Sequence, residues 1–557
     1  MRVVFGLFLF IYISIFSGCT LPEEVNININ INESNSSDAS ANIEGIIDEV
    51  ASNFYLGSEE SALNTISASS YSLEAVDDEL FNSLSFEDKI YVAKKLYSTI
   101  FKGEDISTLK KDVESGRFIS DFRKKLEAEV SQPDLEKIYE PSDKMYRDDT
   151  GAGDAITAKK GEADQAIVSR LLYTKLSKTY YSDWIAYQLN HTILLSPGWE
   201  VDTMLYYPRF ILSNFDRLRD SIRQNRPVQD IVYEHMISVE NWARFRSPED
   251  NGREMLEIWL YDFDDSKVPL AAKVLKNWRF YTFYERPYQK YVFEDGMNDY
   301  ENNETVHLLG RDIRTGREFF KAVVEHENFI YTVVYRIVGH FFPTFDAAKK
   351  ESITELILAQ KPKTFKDIFD TILFSKAYLF ESDRVKSVEE TMYGLMDTLN
   401  FHMGASTLSK ITGSLGPMNQ KMMTYKLGRE YAVPVDTISM NNYAKSVREI
   451  VLINRDESET YPTDDGVTFG RVSQRYDDTN LSTFIDDIFL DLIGRKASNL
   501  EHEKLEGHFK SVRLGYLNTT LDDLSQPTCK SIMTMVVFDY ISRLSELYQY
   551  RKVTEQE

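Results

Sequence analysis

The chain has almost no cysteine: two in 557 residues, Cys19 and Cys529. A disulfide framework is therefore excluded, and an exported body made from this sequence must be held by its core. Basic charge is in deficit, with 64 Lys and Arg against 88 Asp and Glu and a net charge of −24. A nucleic acid or an anionic lipid face is not expected as a partner, because a basic patch would work against the mean field. Catalytic signatures are missing too. The eight histidines are scattered, and no His-Glu-x-x-His pair occurs. His502 and His508 fall on different faces of a helix, so no metal is expected. Asp262-Phe263-Asp264-Asp265 and Asp464-Asp465-Gly466 do not complete an EF-hand loop. There is no Gly-x-Ser-x-Gly elbow, phosphate loop or Gly-rich nucleotide fingerprint, and no cofactor is expected.

Long apolar runs are confined to the first residues. Arg2 is followed by apolar residues from Val3 to Ile13, then by Ser17-Gly18 and Cys19. This order, a charged start, a short apolar stretch and small residues before a cysteine, is that of a bacterial lipoprotein signal over residues 1–18. The apolar stretch is about 16 residues, short of the roughly 20 that span a bilayer. The next charges, Glu23 and Glu24, are acidic where a cytoplasmic flank favours Lys or Arg. Cys19 is the expected lipidation site, carrying acyl chains such as palmitate and attaching the chain to the cell envelope. Thr20 after it favours the outer membrane over inner-membrane retention, with the body facing the periplasm or the exterior. Cys529 is then left without a partner.

Hydrophobic residues at 42 per cent and aromatics at 13 per cent give the rest of the chain enough apolar surface for a globular body. Helical periods dominate, and the expected fold is mainly α. Residues 19–42, with an Asn-Ile alternation from Asn26 to Asn32, form a flexible tether. An N-terminal helical region covers 43–150. In it, Ser85 caps a helix whose apolar face is Ile90, Val92, Ala93, Leu96 and Ile100, and 110–130 reads as one charged, exposed helix. Glycines at 151, 153 and 161 mark a linker over 148–161. The main helical domain covers 162–454, with no series of alternating strands. A polar loop over 455–480 precedes C-terminal helices over 481–557. No repeat at solenoid spacing occurs.

Two segments carry residues capable of chemistry. Ser247 reads as an N-cap with Pro248 at the first helical position. On that helix Glu254 and Glu257 share a face, and Arg253 stands four residues before Glu257, at pairing distance. Met255, Leu256, Trp259 and Leu260 form the opposite, core-facing stripe. Two carboxylates beside an arginine suit general acid–base work if burial separates their pKa values; the alternative is a structural ion-pair network. The second segment, Trp184 to His191, offers Asn190 and His191. A lone histidine in an aromatic-rich helix acts as a base only when a partner orients it, and is otherwise a satisfied core residue.

At these segments the chain resembles the domain-of-unknown-function 1800 family. Its pattern has a Trp-His-Asn-His-Phe stretch, a Glu-Asn-x-Ala-Arg-Glu-Leu-x-Glu-Leu stretch and an Ala-Leu-Thr-Gly-Trp. Here Gln188-Leu189-Asn190-His191-Thr192 keeps the Asn-His pair. Glu249 with Arg253-Glu254-Met255-Leu256-Glu257-Ile258 keeps the second, and Val274-Leu275-Lys276-Asn277-Trp278 is similar to the third. Leu309-Gly310 resembles the family's Leu-Gly turn. Lys386-Ser387-Val388-Glu389-Glu390 resembles its Lys-Ser-Pro-x-Glu, with Val388 in place of proline. The ordered series covers about 162–399. A shorter likeness, Phe484 to Arg495, is to a helix of exported planctomycete-type domains, in which Gly494 ends the helix in the left-handed region.

The resemblance implies an exported protein, in a family without a settled activity whose members are often encoded beside a sulfatase-like partner. Two function classes follow. One is an interaction or scaffold protein working with an exported protein partner. The other is a hydrolase-like enzyme using Arg253, Glu254 and Glu257 with His191 and Asn190. The first is preferred, because no complete catalytic set is visible.

Overall fold

The computed structural model describes residues 73–133, 166–195, 208–245, 247–280, 283–285, 290–292, 297–399, 401, 443–447, 469–515 and 517–553. The signal and Cys19, the 19–42 tether, the 148–161 linker and 455–468 of the polar loop lie outside them. The fold is mainly α, as the helical periods lead one to expect.

Helix boundaries follow local chemistry. Ser85 Oγ accepts from Asp88 N at 3.1 Å and starts the Phe86–Thr99 helix, which buries Ile90, Val92, Ala93 and Leu96. Ser247 accepts from Asp250 N at 3.0 Å ahead of Pro248–Leu260, with Glu249 and Asp250 at its positive end. Asn480 caps Leu481–Ile493, and that helix stops at Gly494, whose φ of 71° is left-handed. A Cβ at Gly494 would also stand 3.0 Å from Tyr91 Cα, so this turn is where the two helices touch.

Three stretches differ from the sequence reading. The single exposed helix expected over 110–130 is two helices, Ile106–Glu114 and Phe118–Glu127, broken at Gly116 (φ 74°). Each is buried along one stripe: Leu109 and Val113, then Phe118, Phe122 and Leu126. The dense charge between these positions hides a four-residue apolar spacing. Strands also occur. Trp278–Phe280 pairs with Met297–Asp299, Phe283–Glu285 with Lys290–Val292, and Val306–Leu308 with Arg311–Ile313, all antiparallel. A fourth pair joins Arg513–Leu514 to Thr519–Thr520. Strands of two or three residues are too short for alternation to register. Within the polar loop, Phe469–Val472 and Ser473–Arg475 are helical turns.

One hydrophobic cluster takes residues from the N-terminal, central and C-terminal segments alike. Phe86–Thr99 packs on Val388–Thr398, on Leu481–Ile493 and on the π-helical turn Ala377–Glu381. Trp184 Nε1 donates to Thr99 O at 2.9 Å, and Tyr180 Oη donates to Ile100 O at 2.6 Å. The end of the chain closes the assembly. Lys386 N donates to Tyr548 O (2.7 Å), Tyr550 N to Arg384 O (3.0 Å) and Val553 N to Phe380 O (2.8 Å). Arg551 pairs with Asp88 at 2.9 Å, tying the last described residues to the Phe86–Thr99 helix.

Candidate functional site

The Pro248–Leu260 helix buries Met255, Leu256, Ile258, Trp259 and Leu260, as its apolar stripe requires. Its candidate chemistry faces the other way. Arg253 is exposed and pairs with Asp265, Nη1 to Oδ1 at 3.5 Å, instead of with Glu257. The i, i+4 spacing permits the Arg253–Glu257 pair, but the 261–267 turn brings Asp265 back beside the helix. Glu254 and Glu257 are half-buried. The end of the helix is fixed through its backbone: Arg336 Nε donates to Ile258 O (3.0 Å) and Nη2 to Glu257 O (3.3 Å), while the guanidinium lies 4.5 Å over the Tyr261 ring.

His191 and Asn190 sit at the end of the Lys178–Asn190 helix and are buried. His191 Nδ1 donates to Tyr187 O at 2.8 Å, and its ring packs 4.2 Å from that of Tyr187. Asn190 Nδ2 donates to Ala186 O at 2.7 Å, and its Oδ1 accepts from Asn214 at 3.2 Å. Both are bound up in their own helix and its neighbour. None of Arg253, Glu254, Glu257, His191 and Asn190 lines the cavity at Lys95 or the smaller one at His235.

The richer polar constellation lies elsewhere. A cavity of about 50 Å³ is walled by Phe86–Thr99, the 102–104 turn, Val388–Thr398, the end of Leu481–Ile493 and the 547–550 segment. Four lysines line it: Lys94, Lys95, Lys102 and Lys386. Three of them are cross-links. Lys95 Nζ donates to Ser382 O (2.7 Å) and Leu379 O (3.4 Å). Lys102 donates to Leu172 O (3.0 Å) and Leu171 O (3.1 Å), and Lys386 to Leu547 O (3.0 Å) and Glu546 O (3.3 Å). Such carbonyls at turns and helix ends lack intrahelical donors, and the lysines supply them. Burial pushes the Lys386 amine down to about 7, and burial lowers Lys95 and Lys102 as well. Two carbonyl acceptors per amine match the two N–H donors of neutral lysine.

Beside these amines, Arg384 forms a bidentate pair with Glu390: Nη1 to Oε2 is 2.7 Å, and Nη2 bonds Oε1. Glu390 Oε2 also accepts from Ser387 N at 2.7 Å, closing a capping box on Val388–Thr398. Tyr378 and Tyr550 cover the cluster, with Lys95 Nζ 5.1 and 5.0 Å from their ring centres. On the C-terminal side, Asp491 is 1% exposed; its Oδ2 accepts from Tyr476 Oη at 2.9 Å. Burial raises its carboxyl to about 6.

Sequence reading missed these groups, although a signal exists. Lys95 lies on the apolar face of its helix between Val92 and Leu96, and Asp491 interrupts the run Ile488-Phe489-Leu490-Asp491-Leu492-Ile493. A charge inside an apolar stripe marks a buried partner. Asp183 is a third case: buried, with Oδ1 3.9 Å from Arg219 Nη1 and a carboxyl that burial raises to about 7. Cys529 is buried as a free thiol, its pKa raised to about 11 chiefly by burial. Among the described residues no helix is long and apolar enough to cross a membrane.

No family model matches this chain, and no match is found among the curated proteins or the solved structures.

Proposed function

We propose that this chain is a lipid-anchored interaction or scaffold protein of the bacterial cell envelope. It is attached through Cys19 at the outer membrane and works with an exported protein partner, in keeping with its resemblance to the domain-of-unknown-function 1800 family. The observation that carries the non-catalytic reading is the dispersal of the candidate catalytic side chains. Arg253 faces solvent and Asp265, while His191 and Asn190 bond main-chain carbonyls inside the core. An acid–base pair needs two groups within reach of one substrate atom; neither segment lines the cavity at Lys95 or the smaller one at His235. Lys95, Lys102 and Lys386 instead join segments distant in sequence through main-chain carbonyls, which suits a body that presents a fixed surface.

The test is complementation of a strain lacking the gene by the full-length Glu254→Gln/Glu257→Gln double variant. The scaffold reading expects full complementation, because neither carboxylate has a catalytic task in it, with a thermal melt that stays cooperative. Lost complementation at unchanged stability would contradict it and establish the hydrolase-like alternative.

A further inference from the structure

We infer that the cavity between Lys94 and Asp491 is a binding site for a small zwitterion of the α-amino acid class, taking the ligand carboxylate at Lys94 and the ligand ammonium at Asp491. This goes beyond the scaffold reading and does not rest on the lipid anchor.

Most polar groups of the cavity are already engaged. Lys95, Lys102 and Lys386 each hold two main-chain carbonyls. Ser98 Oγ donates to Glu390 O at 2.7 Å and accepts from Tyr550 Oη at 3.2 Å. Glu390 is occupied by Arg384 and Ser387. Two groups stand apart. Asp491 Oδ1 is fully buried in the cavity wall and has no hydrogen-bond donor. Lys94, on the rim, makes no hydrogen bond or ion pair among the described residues; burial lowers its amine below the usual lysine value, and Asp491, Glu104 and Asp105 oppose that from a distance. A carboxylate oxygen buried without a donor is costly, because the group has given up its water and gained no partner. A ligand that supplies the donor recovers that cost on binding.

Position decides the polarity of the ligand. The floor of the cavity (Lys95, Glu390, Asp491, Tyr550) is buried, whereas Lys94, Ser98, Gly103 and Glu104 form a half-buried rim. The buried oxygen is an acceptor, so the end of the ligand that goes in is a donor. Glu104 stands on the rim with Lys94, and its charge acts on the Lys94 amine. Lys94 then meets the opposite, anionic end close to solvent. Burial raises the Asp491 carboxyl to about 6, and the charge of Lys94 opposes that rise. The cavity volume of about 50 Å³ holds about three to five water-sized atoms. That is the size of an amino-acid backbone, and a side chain would leave through the rim. A lone anion would leave Asp491 Oδ1 without a donor, and a lone cation would leave Lys94 unanswered, so a molecule that carries both charges, separated by one carbon, satisfies the site best.

The experiment is calorimetric titration of the full-length protein in detergent, with glycine as the zwitterion and acetate and methylammonium as single-charge probes. Saturable glycine binding is expected, with each single-charge probe at least about tenfold weaker. Lys94→Met and Asp491→Asn are each expected to weaken glycine by about tenfold or more while the melt stays cooperative. If Asp491→Asn fails to fold, Lys94→Met alone decides, since its side chain stands on the rim. The inference is overturned if glycine gives no saturable heat up to about 50 mM, if acetate or methylammonium binds as tightly as glycine, or if Lys94→Met leaves the affinity unchanged. The first of these outcomes assigns the cavity to water.

Discussion

Glu390→Ala is expected to remove about 3–5 kcal/mol of folding stability, a large part of the total for a folded domain. The carboxylate is 3% exposed and holds both terminal nitrogens of Arg384, itself 8% exposed. Without it the guanidinium keeps Tyr378 Oη and Val385 O as acceptors but has no counter-charge within the pair. Lys95 and Lys386 lie beside it and bring no negative charge to replace the carboxylate. The variant also loses the Ser387 cap that starts Val388–Thr398. Chemical denaturation of parent and variant measures the difference. Glu390→Gln, which keeps the shape and one acceptor, is expected to fall between them. A loss under about 1 kcal/mol for Glu390→Ala would place Arg384 in contact with water and contradict the buried network.

Gly103→Ala is expected to cost about 3 kcal/mol, and for a different reason. A Cβ at position 103 would collide with Thr398 Oγ1 and Gly394 O and lie 2.6 Å from Thr398 N. Two of those three atoms are backbone and cannot swing aside. The 102–104 turn would have to lift from Val388–Thr398, breaking the 3.0 Å bond from Gly103 N to Asp397 Oδ2 and disturbing Lys102. Gly394 faces it from the other side, where an added Cβ would stand 3.0 Å from Lys102 O. The two glycines together allow this close approach. Gly507→Ala is the control: it lies inside Asn499–Ser511 with open space around it, and alanine is expected to be neutral or to gain up to about 1 kcal/mol. Equal effects at 103 and 507, read by the same denaturation curves, would contradict the packing at the turn.

The helical architecture was legible because its signals are local. Ser85, Ser247 with Pro248, and Gly494 each act within one turn of the backbone, and each does in the fold what its position suggests. The split at Gly116 was less visible, since its two amphipathic stripes are short and surrounded by charge. The polar cavity was hardly legible at all. Lys95 reaches carbonyls at 379 and 382, and Lys386 reaches 546 and 547, so their partners are defined only by tertiary packing. In the sequence, Lys94 and Lys95 look alike; one is a buried cross-link and the other a rim group. Arg253 shows the converse. Helical spacing offers Glu257, but an exposed arginine takes the carboxylate that the following turn supplies, because exposed pairs differ little in energy.

The proposed function rests on Cys19, which would tether the helical body through about two dozen residues, a reach of up to about 80 Å when extended. Stable attachment by acyl chains alone needs about two of them on one residue. The most direct measurement is the intact mass of the N-terminal peptide of the mature protein taken from the membrane fraction. The account expects a chain that begins at Cys19 and carries at least two acyl groups, recovered with the outer membrane. A mature chain that retains residues 1–18, or one that begins beyond Cys19 and stays in the soluble fraction, would contradict it.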